Sequence, residues 1–297
     1  MDANTGYEII KYACNKNQQG YVTPDNFNLV INQASNSVLN FLLGEYQQYQ
    51  YGKGQPRVSY SNNETIRNRL ASIISQPSTI SVDGTGLSAY PSDYIQVDAM
   101  YTSDGDRVRF CPQNKKYSFL KSVIDPVASN PFYVLQENGI QFYPIGIVGP
   151  QIAYIKNPKP INWAYQPDSN GRAVYTTGIQ GVPVLKGGSG YSSATVTFSA
   201  PTTGITATGT VTISGGKVTG IVMTEYGTGY VNTTPTVTFV GVGGTGASLG
   251  AAIVSNDFVW HDVDCLDVIA RALRIIGVNL EQNQVEAYAN EIKQNGQ

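Results

Sequence analysis

The chain has 297 residues, enough to bury a sizeable core and to hold one to three domains. Charged residues make up 13%, about half the ordinary share, and the formal net charge of -2 comes without a Lys/Arg stripe, so a polyanion groove for nucleic acid is excluded. Cys14, Cys111 and Cys265 are odd in number and far apart, which argues against a disulfide framework or a paired-cysteine metal site and fits a reducing compartment.

No apolar run approaches the roughly 20 residues that span a membrane, and residues 1–16 lack the apolar stretch of a secretion signal. Low charge combined with 20 Tyr and 31 Gly instead suits a surface that meets other protein surfaces, because Tyr gives large contact area at small entropic cost.

In chain order, Tyr7, Ile10, Ala13 and Cys14 recur at helical spacing over 5–16. Thr23-Pro24-Asp25 then reads as an N-cap, a proline at the first helical position and an acid in the first turn. Behind it Phe27, Val30, Ile31, Ala34, Val38, Phe41, Leu42 and Tyr46 form one continuous apolar stripe. The opposite face carries Asn28, Asn32, Asn36 and Gln47, amides rather than charges, and these are the expected contacts to a neighbouring subunit. A third helix is expected over Glu64–Ile74, ended by Pro77.

From 78 to 179 the texture is β, with strands expected over 79–82, 93–102, 106–111, 132–144 and 152–158. Asn138-Gly139 predicts a type I′ hairpin, which needs positive φ at both central residues.

Residues 180–255 carry Lys186, Lys217 and Glu225 as their only charges and contain a near-repeat. Gly188, Gly190 and Tyr191 precede one strand of alternating Thr and Val; Gly227, Gly229 and Tyr230 precede another. A hairpin is expected at Ser214-Gly215-Gly216-Lys217. Uncharged strands of this kind expose adhesive edges unless they are paired or covered.

Past 256 the pattern is helical again. Asp262 or Asp264 caps a helix through Leu266, Ile269, Ala270, Leu273 and Ile276; Gly277 stops it, and a last helix follows over 282–294.

The expected fold is therefore α+β. Helices of 1–77 and 256–297 pack as a terminal bundle, 78–179 forms a central antiparallel β region, and 180–255 is an inserted Gly/Thr-rich β-sandwich-like module.

Catalytic signals are weak. His261, the single histidine, sits with Asp262, Asp264 and Asp267, and acids in the first turn of a helix explain the cluster more simply than a metal or triad does. Ser118-Phe119-Leu120-Lys121 matches the Ser-Xaa-Xaa-Lys element of penicillin-binding enzymes without its partner motifs. Asp104-Gly105-Asp106 supplies too few carboxylates for calcium and reads as a turn. No phosphate-cradling glycine motif is present. No catalytic residue, cofactor or metal is expected.

Several segments do resemble a family. Gln19-Gly20-Tyr21-Val22-Thr23-Pro24-Asp25-Asn26-Phe27-Asn28 with Asn32-Gln33-Ala34, then Tyr90-Pro91-Ser92-Asp93-Tyr94, Asn157-Pro158-Lys159-Pro160-Ile161-Asn162-Trp163 and Ile276-Gly277-Val278-Asn279-Leu280, resemble virion structural proteins of tailed phages of gut bacteria, of the crAss-like type. The resemblance implies a non-enzymatic virion component, a head-to-tail connector (adaptor or ring) subunit assembled in the host cytoplasm. Its expected partners are the portal protein and other connector or tail proteins, in a homo-oligomeric ring, dodecameric to match a portal. The alternative is a tail or head-decoration protein that recognises host-surface polysaccharide, with Tyr191 and Tyr230 stacking on sugar rings.

Overall fold

The computed structural model describes residues 1–16, 22–47, 64–121, 126–127, 129 to 277. The expected last helix over 282–294 and the Val278–Leu280 segment lie outside the described residues. The fold is α+β, and the described chain falls into two compact units: Met1–Ile66 with Lys159–Gln297, and Arg67–Pro158.

Three helices open the chain: α1 (Ala3–Lys16), α2 (Pro24–Gln47) and α3 (Glu64–Leu70), the last continued by one 3-10 turn to Ile73. The Thr23 hydroxyl accepts the Asn26 N–H at 3.3 Å and so caps α2 as the sequence predicts.

Within Arg67–Pro158, β1 (Ser78–Thr79), β2 (Leu87–Ser88), β3 (Tyr94–Tyr101), β4 (Arg109–Phe110), β5 (Phe132–Gln136), β6 (Gly139–Tyr143) and β7 (Gln151–Lys156) form two sheets. Their orders are β1-β7-β3 and β2-β6-β5-β4, antiparallel except for the parallel β4–β5 pair. Met100, Val108, Tyr133, Ile140, Phe142, Ile152 and Tyr154 make the core between them. A short helix, α4 (Lys116–Leu120), contains Ser118.

The β5–β6 hairpin forms, but not through the expected turn. Gln136 pairs with Gly139, so Glu137 and Asn138 are the loop, and Asn138 is not among the residues with positive φ. Gly139 is a strand residue with φ +151°, and a Cβ there would collide with the Ser88 carbonyl of β2. Close approach of a neighbouring strand, rather than turn geometry, is what requires glycine.

The other unit continues with β8 (Tyr165–Pro167), β9 (Ala173–Tyr175), β10 (Ile179–Gly181), β11 (Val184–Ser189), β12 (Ser193–Phe198), β13 (Thr208–Ser214), β14 (Lys217–Glu225), β15 (Val237–Val242), β16 (Thr245–Leu249) and β17 (Ile253–Val254). A four-stranded sheet, β14-β13-β12-β15, buries one face with the β11–β16 and β10–β17 ribbons around Val196, Phe198, Ala207, Tyr230 and Val254. The Gly215-Gly216 turn has φ of 58° and 73°, both positive as a type I′ hairpin demands.

Helix α5 (Asp262–Ile276) packs against α2 and α1. Phe27, Ile31, Ala34, Val38 and Leu42 of α2 are buried, as are Cys265, Val268, Ile269, Ala272 and Leu273 of α5. Leu266, one of the apolar positions read along this helix, is 56% exposed: it shares the outer face with Val263 and Ala270, about one turn apart. His261, not an aspartate, occupies the N-cap position, and no side chain caps this helix; Gly277 ends it at φ +82°.

Residues 159–179, expected with the central β region, belong to the unit that holds the helices and the Gly-rich module. The reason lies in how residues 161–164 are held.

Candidate functional site

Two of the amides expected to face a partner, Asn28 and Asn32, hydrogen-bond within the chain. Asn32 Oδ1 accepts the Ile161 N–H at 2.8 Å, and Asn32 Nδ2 donates to the Ile161 carbonyl at 2.7 Å. One helical turn away, Asn28 Oδ1 accepts the Trp163 N–H at 2.7 Å and Nδ2 donates to its carbonyl at 3.2 Å. Four residues advance a helix by about 6 Å, and two residues advance a strand by about 6.6 Å, so an i, i+4 amide pair matches alternate residues of an extended chain.

The intervening residue, Asn162, turns the other way. It exchanges backbone hydrogen bonds with Asn256, at 3.0 and 2.9 Å, and its Nδ2 donates to the Val254 carbonyl at 2.8 Å. The Ser255 hydroxyl donates to the Thr176 carbonyl and accepts the Ala164 N–H. Trp163 is buried, its ring 4.4 Å from that of Tyr7, with Nε1 donating to Asn4 Oδ1 at 3.0 Å.

Asn28 and Asn32 are thus internal clips, and the expectation that they meet a neighbour is corrected. An amide presents one donor and one acceptor side by side, which is what an unpaired peptide needs. Asn36 is exposed, and the side chain of Gln47 lies outside the described residues.

Tyr191 and Tyr230 are also internal, 7% and 1% exposed, so neither can offer a face to a sugar ring. The two copies of the near-repeat perform the same task. Tyr191 Oη accepts the Ala247 N–H at 3.1 Å, and Tyr230 Oη accepts the Ala207 N–H at 3.2 Å while donating to the Ser199 carbonyl at 3.0 Å. The glycine three residues before each tyrosine abuts the same segment: a Cβ on Gly188 would fall 2.6 Å from the Ala247 nitrogen, and one on Gly227 would fall 2.7 Å from that of Ala207. Both glycines have positive φ, 61° and 68°. A buried phenol that ties off a strand amide is a structural device.

The remaining chemical candidates do not converge on one site. The His261 carbonyl accepts the Cys265 N–H at 2.9 Å, and in the first turn of α5 the Asp262 carboxylate pairs with the Met1 ammonium at 2.8 Å. Asp83 Oδ1 accepts from the Thr85 hydroxyl and the Thr85 and Leu87 amides, and those bonds, the hydroxyl's first, hold its carboxyl below the usual range. Asp104-Gly105-Asp106 forms a turn closed by Thr102 N–H to the Asp106 carbonyl at 2.7 Å. Among the described residues, no three His, Cys, Asp or Glu side chains are placed to share a metal ion, and no helix is long and apolar enough to cross a membrane.

What does stand open is the outer face of the four-stranded sheet. Register aligns Val222 with Thr210, Thr210 with Thr195 and Thr195 with Val240, one exposed row across all four strands. Thr197 and Thr238 pair beside it, as do Ser193 and Val242. Val222 is 54% exposed and Val240 58%. The Thr/Val alternation of these strands carries the signal for this face, whereas the two tyrosines of the module lie inside.

No protein-family model and no curated protein matches this chain.

Proposed function

We propose that this chain is a non-enzymatic structural subunit of a tailed-phage virion, a head-to-tail connector protein that assembles as a closed homo-oligomeric ring, dodecameric to match a portal. The observation that carries the assembly reading is the uncharged row Val222–Thr210–Thr195–Val240 on the outer sheet face. Short hydroxyl and branched apolar side chains make a surface that can be dried at small cost, because burying it strands no charge. A ring places such faces and edges against neighbours, which removes the hazard they pose on an isolated molecule.

The sparse charge of the whole chain and the order of virion-like motifs support the same reading. The α2 asparagines do not, since Asn28 and Asn32 are used within the chain.

The test replaces Thr195 and Val240 together by Lys and follows mass by mass photometry and incorporation into virions. Both side chains are exposed, so thermal unfolding should change little, whereas assembly should fail. Unimpaired incorporation, or a chain that stays monomeric in the presence of portal protein, would overturn the reading.

A further inference from the structure

The end of β14 and the loop after it face the β8–β9 hairpin across an open cleft of about 410 Å³. Gln166 and Pro167 line one side; Glu225, Tyr226, Thr228 and Ile205 line the others. The backbone beneath is fixed, with the Tyr226 carbonyl accepting the Ile179 N–H at 2.8 Å and the Thr228 N–H donating to the Ile205 carbonyl at 2.9 Å.

The side chains are less committed. Neither the Gln166 amide, the Glu225 carboxylate nor the Tyr226 hydroxyl hydrogen-bonds to any described residue. The Thr228 hydroxyl accepts the Ile205 N–H at 3.0 Å, which leaves its own proton to donate outward. The cleft therefore combines a half-buried aromatic ring and two apolar neighbours with an acceptor, a donor–acceptor amide and two hydroxyls. That mixture fits a ligand with a C–H face and a rim of hydroxyls, which is the chemistry of a pyranose ring. The single charge of the lining is negative, and no Lys or Arg balances it, which disfavours acidic sugars.

We propose that this cleft binds a short stretch of a neutral saccharide, with Tyr226 and Pro167 under the ring and Glu225, Gln166 and Thr228 on its hydroxyls. The cleft borders the outer sheet face, with Thr224 of its lining two residues from Val222, but none of the four residues of the assembly row lines it, so either reading can fail alone.

Saturation-transfer NMR on the full chain tests it, with maltotriose, cellotriose, chitotriose and mannotriose as neutral probes and sialyllactose as the acidic one. Transfer to a neutral probe at millimolar concentration is expected, with affinity falling about tenfold or more in Tyr226→Ala and in Glu225→Gln. Glu225 is exposed, so the second variant reports on binding even if loss of the half-buried tyrosine disturbs the fold. Absence of transfer to all four neutral probes, preference for sialyllactose, or binding unchanged in Glu225→Gln would overturn the proposal.

Discussion

Asn32 and Ile161, 129 residues apart, exchange two hydrogen bonds as if they were partners in a β-ladder. Asn28 and Trp163 repeat the arrangement one turn along α2, and Asn162 between them pairs with Asn256 on the opposite side. The 161–163 segment is therefore zipped on both edges, by side chains of a helix and by the backbone of Asn256.

Replacing Asn32 by Leu keeps the volume and removes the pairing. The Ile161 N–H and carbonyl lose their partners in a partly buried place, and a cost of about 1–3 kcal/mol is expected. Urea denaturation should show a lower midpoint with an unchanged slope, whereas Asn36→Glu, on the exposed face, should stay within about 0.5 kcal/mol of wild type. Equal effects of the two changes would contradict the clip.

Gly188→Ala and Gly227→Ala should each destabilise the unit that contains them, since both combine positive φ with a blocked Cβ position. Tyr230→Phe leaves the Ala207 N–H and Ser199 carbonyl without the phenol and should cost about 1–3 kcal/mol with the ring packing intact. Thermal unfolding of the three variants is the measurement; a Tyr230→Phe variant as stable as wild type would mean the hydroxyl contributes nothing.

The β5–β6 turn gives a pair of opposite outcomes. Gly139→Ala drives a methyl at the Ser88 carbonyl and should be severe, while Asn138→Asp, in the exposed loop, should be nearly silent. A type I′ turn centred on Asn138 and Gly139 would make both positions sensitive, and denaturant midpoints distinguish the cases.

Alkaline pH should weaken the Arg67–Pro158 unit. Burial pushes the Tyr133 phenol up to about 12, with Tyr94 adding to the rise and Arg107 opposing it. Burial, reinforced by the 2.7 Å hydrogen bond to Asp93, also raises Tyr154 to about 12. An unfolded tyrosine titrates near 10, so the stabilisation is whole below about pH 10 and is lost as pH rises towards 12. Denaturant midpoints measured between pH 9 and 12 should fall, and Tyr133→Phe should flatten the fall. A profile of identical steepness in that variant would show that Tyr133 takes no part.

Local order was legible wherever neighbours along the chain decide it. The 3.6-residue stripe from Phe27 to Leu42 specified α2 and, apart from Phe41, which is 46% exposed, its inward side; Thr23 specified its start and Gly277 the end of α5. Gly215-Gly216 specified a hairpin because positive φ at two successive residues is a property of the turn alone. At Gly139 the turn reading fails for the complementary reason: what demands glycine there is a strand some fifty residues upstream. The polar and aromatic residues followed the same divide. An asparagine on the outer side of an amphipathic stripe, or a tyrosine after a glycine turn, has the same local pattern whether it meets solvent, a partner or its own backbone. Asn28, Asn32, Tyr191 and Tyr230 could be assigned only once strands far along the chain supplied the amides that they satisfy, since hydrogen bonding depends on distance and direction in space and leaves no period in the sequence.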